Sequence, residues 1–345
     1  VQITPDQREL QDLIRRFFQD AVPSDYLRKR MTSLLRRDEA LVESLKQLGL
    51  EEGFSGPAGG FSFAELGLVA EEVGRALFPE PLSERLLGDA VLPGMLGNES
   101  RKAYDALGSG TAFAPPSCCT LKRASKSQRV SGEIAWAIGV EGAGRLIAAV
   151  EHKGSHRLFA CGLSQAGVST NPVSSLDLMT SLSRVTLHDV SVVLFSEDES
   201  QRIQDAYEIL KACEVYGSTA RVVDMSAEYL KTREQFGVPV GAFQAVQQRI
   251  ADAYAASESL GALCRFAAWS VTSSPEQCPL TARAAIAHAS EVGPSVCEAA
   301  IQVHGGIGFT WEYDLHLYLR RAKAIQAGFP MSAGRVAELL MRAQS

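Results

Sequence analysis

Arg233 stands where a long helical pattern gives way to Gly237 and Pro239, in the segment TREQFGVPVGAFQ (232–244). A guanidinium carries a rigid fork of donors matched to phosphate oxygens. A lone arginine near a helix C-terminus also answers the macrodipole without any ligand. A second segment, QVHGGIGF (302–309), ends another helical run on Gly305 and Gly306. Glycines let a backbone approach a ligand closely and adopt positive φ, although a helix that ends in glycine needs no function. Gly139, Gly142 and Gly144 could suggest a phosphate loop, but strand-like sequence follows them, so a turn is the better reading. Cys118 and Cys119 are neighbours and could be redox-active, but with nothing nearby to stabilise a thiolate ordinary packing or exposure is the better reading.

The elements around these segments are legible from period and punctuation. Thr4-Pro5-Asp6-Gln7 offers a capping box with proline at the first helical position, followed by Leu10, Leu13, Ile14, Phe17 and Phe18 at helical spacing. Ser62 with Glu65 opens a second helix whose face carries Leu66, Val69, Val73 and Leu77, stopped by Phe78-Pro79-Glu80-Pro81. From about 110 to 197 the period changes to two, with short runs separated by Gly, Ser and Asn. Long helical patterns return over roughly 201–232, 243–271 and 281–303, the last two separated by Ser273-Ser274-Pro275. Asp314 is placed to cap a helix over 315–326, and Ser332 another over 333–342.

With 345 residues, 46% of them hydrophobic, the chain can build a sizeable core of two or three packed units. A net charge of -6 gives no basic footprint for nucleic acid. No apolar run approaches the ~20 residues that span a bilayer, and the start VQITPDQRELQDLI lacks the pattern of a secretion signal. Seven cysteines without CxxC pairs read as reduced thiols, so a cytoplasmic location is expected.

Together, TREQFGVPVGAFQ and QVHGGIGF resemble the cofactor signature of the acyl-CoA dehydrogenase family, and AEEVGRALFPEPL (70–82) and FTWEYDLHLYLRRA (309–322) are similar to further family segments. The resemblance covers most of the chain. It implies an α+β protein of the acyl-CoA dehydrogenase fold: an N-terminal helical domain (1–109), a middle β domain (110–197) and a C-terminal four-helix bundle (198–345). It implies FAD as cofactor and α,β-desaturation of an acyl-CoA thioester, with electrons passed on to an electron-transfer acceptor. By resemblance Arg233 meets the FAD pyrophosphate, Phe236 packs by the adenine or the turn wall, and Gln244 hydrogen-bonds the dinucleotide. Gln302, Gly305 and Gly306 lie against the adenosine, and His304 is a local hydrogen-bonding residue.

The same resemblance exposes gaps. Proton abstraction α to a thioester needs a positioned base, and the two positions that carry the family's glutamate fall here on Phe329 and Tyr207. Glu208, one residue and about 100° further round the helix, is a weak candidate, and Asp205 a weaker one. The family's flavin-contacting strands read TAFAPPSCCT and SGEIAWAIGVEGAGRL, with Ile138 and Gly139 where polar contacts are expected and Trp136 free to stack near a cofactor or in a sheet core. Half a cofactor site without a base points to the divergent subunit of an α2β2 heteromer, resembling bacterial assemblies that act on steroid-CoA thioesters. Its partner would be a homologous catalytic subunit. The alternatives are a self-sufficient dehydrogenase using Glu208, and an acyl-CoA-binding scaffold without FAD.

Overall fold

Thr4 opens the first helix by reciprocal capping: its hydroxyl accepts the Gln7 N–H at 3.2 Å, and the Gln7 side-chain oxygen accepts the Thr4 N–H at 3.0 Å. The computed structural model describes residues 2–32, 37–55, 60–115, 119–123, 128–152 and 155–329. The helix expected over 333–342 with its Ser332 cap, and Cys118, lie outside the described residues. Helix α1 (Pro5–Ala21) buries Leu10, Ile14 and Phe18, with Phe18 stacked on Phe78 at 4.4 Å. Short helices α2 (Ser24–Thr32), α3 (Glu39–Lys46) and α4 (Leu50–Ser55) lead to α5 (Phe63–Arg75), opened by the Ser62–Glu65 capping box. Leu77, at φ +51, turns the chain out of α5 into the Phe78-Pro79 stop. Helices α6 (Leu82–Arg85) and α7 (Asn98–Asp105) complete this first helical layer.

Eight strands follow: β1 (Thr111–Phe113), β2 (Cys119–Arg123), β3 (Arg129–Ile138), β4 (Arg145–His152), β5 (Ser155–Gly162), β6 (Val168–Val173), β7 (Leu182–Ser191) and β8 (Val193–Leu194). They form one sheet in the order β6-β7-β3-β1-β4-β5-β8, with β2 also paired to β3. The pairings are antiparallel except β1 with β4. The glycines expected to form a turn do so: Gly139 (φ +76) and Gly142 (φ +72) reverse the chain between β3 and β4. One sheet face buries Ile134, Leu146, Phe159 and Val185 in a core of its own.

Four long helices finish the described chain: α8 (Glu197–Thr232), α9 (Gln244–Ser273), α10 (Cys278–His304) and α11 (Leu315–Gly328). Between α8 and α9 a small hairpin pairs β9 (Glu234–Gln235) with β10 (Val238–Pro239). Helix α8 is the axis of the molecule, packing on α5, α9 and α10. It crosses α5 at glycines on both sides, since a Cβ on Gly217 would lie 1.7 Å from the Glu71 carbonyl oxygen and one on Gly74 would lie 1.8 Å from that of Glu214. The sequence misassigns one cap. Asp314 makes no capping bond to α11; its carboxylate accepts the Ser24 hydroxyl and faces Arg28 at 3.6 Å, tying α11 to α2. Among the described residues the cysteines are free thiols, and no helix is long and apolar enough to cross a membrane.

At the α5–α8–α9 junction Glu71 is buried, accepting from the Gln11 amide at 3.0 Å with Arg265 at 3.5 Å. Burial pushes its carboxyl up to about 7, against the opposing pull of Arg265. A carboxyl whose folded pKa is raised binds its proton more tightly in the folded state. Stability should therefore fall as pH rises from about 4.5 to about 7, by at most roughly 3 kcal/mol. Glu71→Gln should flatten that slope in urea denaturation measured across the window; an unaltered slope would remove Glu71 as its origin.

Candidate cofactor half-site and interior cavity

The two glycine-bearing segments come together at one end of the bundle. Tyr229, one turn before the end of α8, stacks on His304 at 4.3 Å and donates its hydroxyl to the His304 carbonyl at 3.4 Å. This contact sets the last turn of α8 against the turn that follows α10. His304 is buried, its Nδ1 bonded to the Ala300 carbonyl at 2.8 Å, and burial lowers its pKa below the ordinary imidazole value. It is therefore a neutral, local hydrogen-bonding residue.

Arg233 ends α8, and its carbonyl accepts the Val240 N–H at 2.7 Å, which folds the hairpin back on the helix. Its side chain is exposed, with no ion pair to another described residue. Phe236 and Gly237 form the hairpin tip at φ +55 and φ +80, both left-handed, as a tight two-residue turn requires. For glycine that conformation is free; for phenylalanine it costs of order 1–3 kcal/mol and persists only where something else fixes it. The ring is 94% exposed, edge-on to Phe243 at 6.2 Å, so it gains little from this chain's own packing. Gln244 is exposed at the first position of α9, whose N-cap Phe243 offers no side-chain acceptor. The positive end of that helix dipole thus lies in the same neighbourhood as the guanidinium.

Gln302 is exposed on the last turn of α10. Gly305 has φ +66 and ψ -141, a conformation in which a side chain would be strained. Gly306 has neither positive φ nor any atom within 4 Å of a would-be Cβ, so the fold itself does not require glycine there. The open space over both residues lets a ligand approach the backbone. Exposed Ile307, Phe309 and Trp311 follow directly. Arg233 and Gln244 thus flank the hairpin that carries Phe236 at its tip, and Gln302, Gly305 and Gly306 lie at the end of α10 and on the turn that follows it. Donors, amide side chains and bare backbone suit a dinucleotide's pyrophosphate and adenosine, while nothing in this cluster can accept a proton from carbon.

Tyr207, Glu208 and Phe329 lie elsewhere, where α8 and α11 meet the sheet. Tyr207 stacks on Phe113 at 4.8 Å and meets Phe329 at 5.7 Å, the three rings bridging sheet and bundle. Beside them is a cavity of about 240 Å³, walled by Trp136, Ile138 and Leu182 from the sheet and by Tyr207, Ile325 and Phe329 from the helices. Lys211, Glu214, Asp177 and Arg321 form its floor. Lys211 donates to both Glu214 oxygens at 2.9 Å and pairs with Glu84; burial alone would lower its pKa, but Glu214 and Glu84 raise it. Burial raises the Glu214 pKa, opposed by Lys211. Arg321 binds Asp177 at 2.9 Å, and Thr180 donates to the same carboxylate at 2.6 Å.

Glu208 does not line this cavity. It points into the helical bundle, accepting from Gln204 at 2.9 Å and facing Arg283 at 3.6 Å. Asp205 is likewise buried in the bundle, held by Gln201 at 2.6 Å. The sequence reading passed over the floor of the cavity. The i, i+3 pair Lys211–Glu214 inside an otherwise apolar stretch was the available signal.

A sequence profile described as the acyl-CoA dehydrogenase C-terminal domain matches residues 209–329. The acyl-CoA dehydrogenase IpdE2 of Mycobacterium tuberculosis is 30% identical over 267 residues, covering 77% of this chain and 73% of that protein. The chain belongs to the acyl-CoA dehydrogenase family. A solved structure described as a variant of the Tcur3481-Tcur3483 steroid ACAD superposes on this dehydrogenase-family chain with a TM-score of 0.85 at 26% identity, covering 99% of each. One described as the ChsE4-ChsE5 complex from Mycobacterium tuberculosis gives 0.83 at 22% identity, covering 100% of this chain and 98% of that one. The architecture is accordingly the acyl-CoA dehydrogenase fold, with helical N- and C-terminal parts around a middle sheet.

The residues fit FAD unequally. The hairpin and glycine turn suit its phosphates and adenosine. The pocket beside Tyr207 suits its ring less well, since the Ile138 side chain offers neither donor nor acceptor there.

Proposed function

We propose that this chain is one subunit of a heteromeric, FAD-dependent acyl-CoA dehydrogenase, and that it completes the cofactor site of a homologous catalytic subunit in an α2β2 assembly. Bound FAD would accept the hydride from the acyl β-carbon. This chain's part is binding and orientation. Arg233 grips the pyrophosphate, Gln244 and Gln302 hydrogen-bond the dinucleotide, Gly305 and Gly306 admit its adenosine to the backbone, and Phe236 packs against the adenine. The partner supplies the carboxylate that removes the α-proton, and an electron-transfer acceptor reoxidises the flavin.

One observation carries this reading. The groups suited to half a dinucleotide face outward and uncovered, and aromatic rings stand at 207 and 329, the two positions to which the family resemblance assigns the base. The strained, exposed Phe236 supports it, since that conformation is explained by a partner that covers it. The likeness to a structure described as a steroid ACAD favours a bulky steroid-type acyl group, and a site that the catalytic subunit shares with a chain lacking its own base leaves room for one. Glu208 as a base is disfavoured by its place between Gln204 and Arg283. A scaffold without FAD leaves the left-handed Phe236 and the open glycine turn unexplained.

Purified alone, the chain should carry little or no flavin absorbance and show no dehydrogenase activity. Co-expression with a homologous chain bearing the glutamate should restore both. A yellow, active homo-oligomer with one flavin per chain would overturn the proposal.

A further inference from the structure

We propose that a second cavity, where α1, α5, α8 and α11 meet, binds a small monocarboxylate about the size of benzoate. The cavity holds about 220 Å³ and shares no lining residue with the one beside Tyr207. Its charge, its donors and its size together select this class.

Three guanidiniums and two carboxylates line it, and one of these charges is left over. Arg15 grips Glu72 through two hydrogen bonds, at 3.0 and 2.7 Å, and so engages both oxygens of that carboxylate. Arg75 pairs with Asp224 at 2.7 Å. Asp314 accepts the Ser24 hydroxyl and faces Arg28 at 3.6 Å. Arg221, half-buried on α8, makes no hydrogen bond or ion pair with another described residue. Its charge nevertheless reaches inward. Burial pushes the Tyr318 phenol on α11 up to about 12, and Arg221 is the first influence to oppose that rise.

A guanidinium keeps its proton in a protein, so the Arg221 fork is a standing pair of donors without an acceptor. A carboxylate answers such a fork with two parallel hydrogen bonds. One surplus positive charge matches one negative charge. A phosphate dianion would bring a second charge up against Glu72 and Asp314, which line the same cavity. The exposed Gln19 amide, also without a hydrogen bond to a described residue, adds a neutral donor. Size sets the rest of the molecule. A cavity of about 150 Å³ takes benzene; this one is larger by enough to add the carboxylate. Val22, Leu27 and Met225 supply apolar surface for the body of the ligand. The inference does not rest on the cofactor half-site: Arg221 precedes Arg233 by 12 positions, about 18 Å along α8.

The test titrates the full chain with benzoate by calorimetry, with benzyl alcohol, benzylamine and phenyl phosphate as comparison ligands. Saturable benzoate binding is the expected result, at least tenfold tighter than that of each of the other three. Arg221→Gln should weaken it at least tenfold, and Arg221→Lys should recover only part, because a point charge does not reproduce the fork. Met225→Trp, which fills the cavity from α8, should also weaken it at least tenfold, so either position suffices if a variant at the other fails to fold by circular dichroism. No saturable benzoate binding up to the solubility of the probe would overturn the proposal. So would a folded Arg221→Gln that binds benzoate as well as wild type, or phenyl phosphate or benzyl alcohol binding as tightly as benzoate. Flavin content of the assembled complex reads the half-site separately, so the two readings fail independently.

Discussion

Replacing the partner's active-site glutamate by glutamine should lower turnover of the assembled complex by about 10²–10⁴-fold, while Glu208→Gln in this chain should leave it nearly unchanged. The two substitutions are chemically the same: an amide is close to isosteric with the carboxylate and cannot take a proton. They differ in where the carboxylate points. Glu208 is fully buried in the bundle with Gln204 on one oxygen and Arg283 near the other, and it faces away from the cavity that Tyr207 and Phe329 close. Removing its charge leaves Arg283 less well compensated, so a loss of stability is expected; loss of a buried charge partner is commonly costly. Turnover is therefore normalised to complex that still co-purifies with its flavin. A fall of two or more orders of magnitude for Glu208→Gln, with flavin retained, would make this chain catalytic and reverse the proposed division of labour.

Arg233→Ala should weaken FAD retention by the complex roughly ten- to a hundredfold, as expected for a lost hydrogen bond to a charged group worth ~1.5–3 kcal/mol. The variant is informative because Arg233 is exposed and holds no ion pair with another described residue. Surface substitutions of that kind usually change stability by about 0.5 kcal/mol or less, so a flavin loss would not be a folding loss. Arg233→Lys should recover only part of the affinity, since a point charge does not reproduce the planar fork. Raising the salt concentration should narrow the difference between wild type and alanine variant. Unchanged flavin content in the alanine variant would leave Arg233 as a helix-terminal residue and no more.

Much of the scaffold is written locally in the chain. The capping boxes at Thr4 and Ser62 were legible because each requires only residues three apart, and both form. The four long helices were legible from their breakers, Gly237, Pro275 and Gly305. Asp314 was misread for the same reason: as a residue before a helix it suits a cap, but Ser24 and Arg28, nearly three hundred residues earlier, compete for its carboxylate. Of the cavity floor only the Lys211–Glu214 pair, three residues apart, was legible; Asp177 and Arg321 come from separate segments, and no spacing rule links them to it. The hairpin and glycine turn were found as motifs; their adjacency through Tyr229 and His304 needed coordinates.

Helix α8 spans both regions, with Tyr207 near the cavity and Arg233 at its far end, 26 positions later and about 39 Å along the axis. Such a helix is a ruler marked in residues. Adding or deleting one residue between them would shift the hairpin by about 1.5 Å and swing it by about 100° around the axis, carrying Arg233 out of line with the turn after α10. The glycine crossing at Gly217 fixes the near half of the ruler against α5, so no local slack can absorb the change. Length variation in this chain should accordingly be confined to surface connections, and α8 between Tyr207 and Arg233 should tolerate substitution but not a change in count.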